Sequence, residues 1–98
     1  MAATFADTIL TSASAAVAGA IVRVTPLEAD GTDIRAVSAF TDANGDFSLT
    51  IPSGVSCFFW VPAAGIHHVY QASAGDVVTL DTVITNGDAS GEWDPAWL

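Results

Sequence analysis

The chain has 98 residues, of which 51% are hydrophobic and only 13% charged, so it is one domain's worth of sequence with enough apolar mass for a single core. Eleven acidic residues stand against two arginines, Arg23 and Arg35, and no lysine, for a formal charge of −9. That balance argues against nucleic acid and against anionic membrane surfaces as partners, because both need cations on the protein. It favours a partner with a basic patch.

The predicted elements are short strands separated by turns. Residues 5–10 make a first strand, and the small polar stretch 11–16 reads as a loop. Residues 20–27 are β-branched and apolar, with Ala20, Val22 and Val24 on one side and Arg23 and Thr25 on the other. Pro26 places the end of that strand near an edge. A polar connection with Asp30-Gly31 follows, then a strand over residues 34–41.

Asp42-Ala43-Asn44-Gly45 is the strongest local signal. Asn44 and Gly45 both tolerate positive φ, and the alternation on either side predicts a tight hairpin. In residues 46–51, Phe47, Leu49 and Ile51 point inward while Asp46, Ser48 and Thr50 meet water. Turns at Pro52-Ser53-Gly54, Pro62-Ala63-Ala64-Gly65 and Ser73-Ala74-Gly75-Asp76 separate strands over 55–61, 66–72 and 77–84. Seven strands with turn signals about every ten residues predict an all-β fold, an antiparallel Greek-key-like β-sandwich. No periodic segment is long enough for a substantial helix, which excludes parallel βαβ units. Residues 1–84 are expected to be the sandwich. Residues 85–98, polar at first and ending in Trp93, Trp97 and Leu98, are expected to be a C-terminal docking tail.

These segments resemble a known family. Val17-Ala18-Gly19-Ala20-Ile21-Val22-Arg23-Val24, Thr41-Asp42-Ala43-Asn44-Gly45-Asp46-Phe47-Ser48-Leu49 and Ile51-Pro52-Ser53-Gly54 are similar to the carboxypeptidase regulatory-like (transthyretin-like) β-sandwich. The resemblance covers about residues 17–84. It extends to versions of the domain in tailed-bacteriophage virion proteins, where a segment like Ala74-Gly75-Asp76-Val77-Val78-Thr79-Leu80 follows. Members commonly carry a tyrosine soon after the Pro-x-Gly turn; here that strand holds Cys57, Phe58, Phe59 and Trp60. The resemblance implies a structural virion protein: a capsid decoration (cement) protein or a fibre or tail component. Its partners would be capsid or tail subunits, or further copies of itself. It would be made in the host cytoplasm, and residues 1–20 lack the basic region of a signal peptide.

Catalytic patterns are weak. Cys57 is the lone cysteine and sits in an apolar run, the setting of a buried small side chain rather than an activated thiol. Asp42, Asn44 and Asp46 have the first spacing of a calcium loop, but Phe47 replaces the required glycine and no glutamate follows before Glu92. His67 and His68 are adjacent, so on a strand they face opposite sides and cannot share a metal. No enzyme activity and no metal or other cofactor is expected. If Cys57, Phe59 and Val61 face the core, alternation sends Phe58 and Trp60 outward. With Trp93, Trp97 and Leu98 they form the candidate interface, since aromatics anchor protein contacts. Two alternatives belong to other classes. One is a carbohydrate-binding module that stacks sugars on Trp60 and Tyr70. The other is a transthyretin-like hydrolase, against which the Pro95-Ala96-Trp97-Leu98 ending argues.

Overall fold

The computed structural model describes residues 2–26 and 36–89. Eight strands and one short α-helix occur among them: β1 (Ala3–Thr8), β2 (Ile21–Pro26), β3 (Val37–Phe40), β4 (Asp46–Ile51), β5 (Ser56–Val61), β6 (Ile66–Gln71), β7 (Val77–Val78), α1 (Leu80–Asn86) and β8 (Asp88–Ala89). They form two sheets packed as a sandwich. The smaller has the order β4-β1-β7 and the larger β3-β2-β5-β6-β8.

Pairing is antiparallel with one exception. β7 runs parallel to β1, matching Thr4 with Val77 and Phe5 with Val78. This short pair is the one departure from an antiparallel sandwich among the described residues, and it is not a βαβ unit; Thr4 N–H donates there to the Asp76 carbonyl at 2.9 Å.

Alternation places the core. On β4, Phe47, Leu49 and Ile51 are buried while Asp46, Ser48 and Thr50 are exposed, as the sequence pattern requires. β5 sends Cys57, Phe59 and Val61 into the same core, where the Cys57 thiol is buried. Four rings bridge the sheets. Phe5 lies edge-to-face on Phe47 (5.0 Å between centroids, 67°) and on Phe59 (4.9 Å, 89°). Phe59 in turn meets Tyr70 at 6.1 Å.

Two expectations are corrected here. The first concerns the turn at Asn44-Gly45. The turn itself forms: Gly45 N–H donates to the Asp42 carbonyl at 3.0 Å, and Asp42 N–H to the Asp46 carbonyl at 3.0 Å. The flanking strands then part, β3 to β2 in the larger sheet and β4 to β1 in the smaller. It is a sheet-to-sheet corner rather than a hairpin. The reason is that Val37 and Ala39 on one strand and Phe47 and Leu49 on the other all face the shared core, so the strands must lie opposite each other. Thr41, which is buried, fixes the departure. Its hydroxyl donates to the Val17 carbonyl and accepts from Ala20 N–H at 2.9 Å.

The second concerns residues 77–84. Only Val77 and Val78 are strand; Leu80–Asn86 is helix. Thr79 is the N-cap, and it and Thr82 bond reciprocally, each hydroxyl taking the other's backbone N–H at 3.2 Å. Asp7 on β1 completes the cap, its carboxylate accepting from Leu80 N–H at 2.8 Å and from Thr8 N–H at 2.7 Å. Val83 is the helix's buried contact with the core. The domain boundary expected at residue 84 thus falls inside α1. Residues 85–89 of the expected tail belong to the sandwich, through the helix end and the pairing of β8 with β6. Asp7→Ala should lower unfolding free energy by about 1–2 kcal/mol, because two backbone donors lose a charged acceptor. Asp7→Asn, which keeps one acceptor oxygen, should lose less. Urea unfolding of the two variants checks this.

Candidate protein-contact face

The two sheets present different outer faces. On the smaller sheet, the cross-strand pairs Thr4–Thr50, Ala6–Ser48 and Thr8–Asp46 point away from the core. That face is mainly small and polar, with Val77 of β7, the partner of Thr4, as its exposed large apolar side chain.

The larger sheet differs. Register puts Phe40 opposite Ile21, Trp60 opposite both Arg23 and His67, and Phe58 opposite both Thr25 and Val69, all on the side away from the core. Phe40 on the edge strand β3 is 66% exposed. Trp60 is half-buried, and the Arg23 guanidinium lies 5.8 Å from its ring centroid, within cation–π range. The Trp60 indole N–H and the Thr25 hydroxyl are buried with no hydrogen-bond partner among the described residues.

The candidate interface residues fall as follows. Trp60 is outward and partly open, as alternation requires. Phe58 takes the expected side, but it is 1% exposed and cannot serve as an open anchor. The uninterrupted run Cys57-Phe58-Phe59-Trp60-Val61 carries the sign of that burial, because strands covered on both sides read as continuous apolar stretches. Trp93, Trp97 and Leu98 lie outside the described residues. Asn44 and Gly45 sit at the corner turn, where Gly45 has φ +79°. Phe40, the most open aromatic on the face, was hidden from sequence reasoning. Its strand alternates among small side chains, and nothing local says which side is core.

The remaining candidates separate. Tyr70 pairs with Cys57 on the core side and touches Phe59, so it and Trp60 lie on opposite sides of the sheet and make no shared stacking platform. The Asp42 carboxylate accepts from Asn44 N–H at 2.8 Å and Asp46 N–H at 3.0 Å, and the Asp46 carboxylate accepts from the Thr8 hydroxyl. These oxygens are engaged in holding the turn. Among the described residues no cluster of three or more His, Cys, Asp or Glu side chains could hold a metal, and no helix is long and apolar enough to cross a membrane.

His67 and His68 diverge by register, yet their ring centroids are 5.6 Å apart, and His68 Nδ1 accepts from His67 N–H at 3.1 Å. Burial first, and the neighbouring His67 charge second, hold the His68 pKa below its usual 6.5. The unfolded chain therefore binds more protons than the folded one between the folded-state pKa and 6.5. Its contribution to stability is complete above 6.5 and is lost as pH falls through the folded-state value. Urea midpoints measured at neutral and at mildly acidic pH should move apart less in His68→Gln than in the parent chain.

Comparison with family models, with curated proteins and with solved structures finds no match.

Proposed function

We propose that this chain is a structural, non-catalytic module that works by protein–protein contact, and that it belongs to a phage-like particle as a capsid decoration or a fibre or tail component. The observation that carries the contact reading is the contrast between the two outer faces. One is mainly threonine, serine and aspartate with a single exposed aliphatic side chain among the described residues, Val77; the other sets Phe40, Ile21 and an Arg23–Trp60 pair side by side. A small domain that gathers its outward aromatics and arginine on one face has the composition of an interface core on that side. The acidic surface supports a partner with basic character around the contact. The particle assignment is supported by the sequence resemblance over residues 17–84.

The test uses particles purified on a density gradient from the source of the chain. Peptides of this chain are expected in them by mass spectrometry. The full chain should rebind to stripped particles, and Phe40→Asp should abolish rebinding while its circular dichroism stays that of the parent. Rebinding of the variant at the parent's stoichiometry would overturn the contact face, and absence of the chain from particles would overturn the location. A carbohydrate-binding reading retains only Trp60 as a platform. Glycan binding that disappears in Trp60→Ala would favour it instead.

A further inference from the structure

The edges of the two sheets are not equally guarded. β7 and β8 are two residues long and β3 is four, and short edge strands offer little to another chain. β4 differs: it has six residues, Asp46–Ile51, at the edge of the smaller sheet, and pairs with β1 alone among the described strands. Its one-to-one register with β1 has no bulge, and it contains no proline or lysine, the usual guards of an open edge. The phase of the ladder fixes which backbone groups point outward. Ile9 N–H donates to the Gly45 carbonyl, whereas Thr4 N–H turns the other way, to the Asp76 carbonyl beside β7. The hydrogen-bonded pairs are therefore Asp7–Phe47, Phe5–Leu49 and Ala3–Ile51, and Asp46, Ser48 and Thr50 direct their N–H and C=O away from β1. Asp46 is already satisfied: its carbonyl accepts from Asp42 N–H and its N–H donates to the Asp42 carboxylate, both at 3.0 Å. Pro52, the next residue of that row, has no N–H. The N–H and C=O of Ser48 and of Thr50 remain, on two exposed residues, and no backbone group among the described residues meets them.

We propose that this edge pairs antiparallel with the same edge of a second copy, with Leu49 of each copy at the twofold axis. In that register Ser48 of one copy lies opposite Thr50 of the other, and the reverse. Each pair exchanges two N–H···O=C bonds, so every outward group of both residues is used on both copies. A shift of two residues one way sets Ser48 against Pro52, which has no N–H to give. The same shift the other way sets Thr50 against Asp46, whose groups Asp42 holds. Odd shifts oppose residues whose groups already serve β1. The side chains agree with the choice. The opposed outer side chains are hydroxyls, a favourable cross-strand pair. Asp46 lies opposite Pro52 rather than a second carboxylate, and the two copies of Asp46 are about 20 Å apart along the strands, beyond the Debye length at physiological salt. The product is one six-stranded sheet in which β4-β1-β7 of each copy continues the other. Both cores then lie on one side of it, so the outward faces of the two larger sheets, with Phe40, point the same way. The pairing edge is independent of the contact reading. That reading gives the dimer a use: two contact faces on one side engage a repetitive partner surface at raised effective concentration.

The experiment follows the full chain by sedimentation. One strand pair is a small interface, so the dimer is expected to form between about 10 μM and about 1 mM. A chain still monomeric at about 1 mM would overturn the proposal. Ser48→Pro removes an outward N–H without touching the ladder to β1, and should weaken dimerisation at least about tenfold with unchanged far-ultraviolet circular dichroism. Dimerisation equal to the parent's would overturn the edge. Cysteines read the register, and they decide the matter where Ser48→Pro fails to fold. Chains carrying Ser48→Cys are mixed with chains carrying Thr50→Cys in a glutathione buffer; Cys57 is buried, so the introduced thiols are the accessible ones. Directly opposed residues of a hydrogen-bonded pair have Cα atoms about 5.5 Å apart, within disulfide reach, whereas like residues are diagonal neighbours at about 7–8 Å and beyond it. Disulfides between unlike chains should therefore exceed those between like chains at least about fivefold. Equal yields, the result of random collision, would overturn the register. Each copy carries −9, so raising the salt should strengthen the dimer. Weakening by salt, or loss of the dimer in Phe40→Asp, would move the contact to the larger sheet and overturn the proposal.

Discussion

Phe5→Ala is expected to lower the unfolding free energy by about 3–5 kcal/mol, the usual cost of removing a fully buried ring. Phe5 is 0% exposed on the central strand of the smaller sheet, and it is the ring through which that sheet grips the larger one. It touches Phe47 within its own sheet and Phe59 across the core, edge-to-face in both cases. Each such pair is worth about 0.5–1.5 kcal/mol beyond the area it buries. Neighbours on both sides are rigidly held by sheet pairing, so the cavity has little chance to collapse. A domain of this size has roughly 5–15 kcal/mol in hand, so the variant should sit near the edge of folding, with Tm lowered on the order of 20 °C. Phe5→Leu keeps most of the volume and should lose less than half as much. Calorimetry on the two variants decides the matter. A loss below about 1.5 kcal/mol in Phe5→Ala would mean that the sheets are held mainly elsewhere.

Much of this architecture was legible in the sequence, and particular residues show where the legibility stopped. β4 was readable to the residue, because strict alternation from Asp46 to Ile51 has only one arrangement on a half-buried strand. β5 and β6 were readable from their β-branched and aromatic content between turn signals, aided by the glycines that end the turns before them. The stretch Val77-Val78-Thr79-Leu80-Asp81-Thr82-Val83-Ile84 was not. Its β-branched residues favour a strand, and the helix that replaces it depends on Asp7, 73 residues away, which takes the Leu80 N–H. A seven-residue helix is too short to be fixed by its own propensity, so tertiary contact decides it. The corner at Asn44-Gly45 failed in a different way. Turn chemistry sets the path of five residues, whereas the identity of a strand's neighbour depends on which faces must share a core. Phe58 shows the same limit at the candidate site. Alternation gave the correct side, but whether a side is covered depends on what else the chain lays over it.

Gly45→Ala is the sharpest test of that corner. At φ +79° any residue with a Cβ costs about 1–2 kcal/mol. Here a Cβ would also stand 2.5 Å from the Ile9 carbonyl oxygen and 3.2 Å from Val17 N. Neither atom belongs to a flexible side chain. The Ile9 oxygen accepts from Val17 N–H at 3.0 Å, and Ile9 N–H donates to the Gly45 carbonyl at 2.8 Å, so relief of the clash pulls on two hydrogen bonds at once. Each contributes about 0.5–1.5 kcal/mol, and the expected total is roughly 3 kcal/mol. Gly54 provides the control. Its φ of +76° is nearly the same, yet nothing lies within 4 Å of its Cβ position. Gly54→Ala should therefore show only the conformational part, about 1 kcal/mol. Urea unfolding of the two variants measures the difference directly. If both lose the same amount, the close packing of the corner against the loop after β1 contributes nothing, and the two sheets are joined there by chain connection alone.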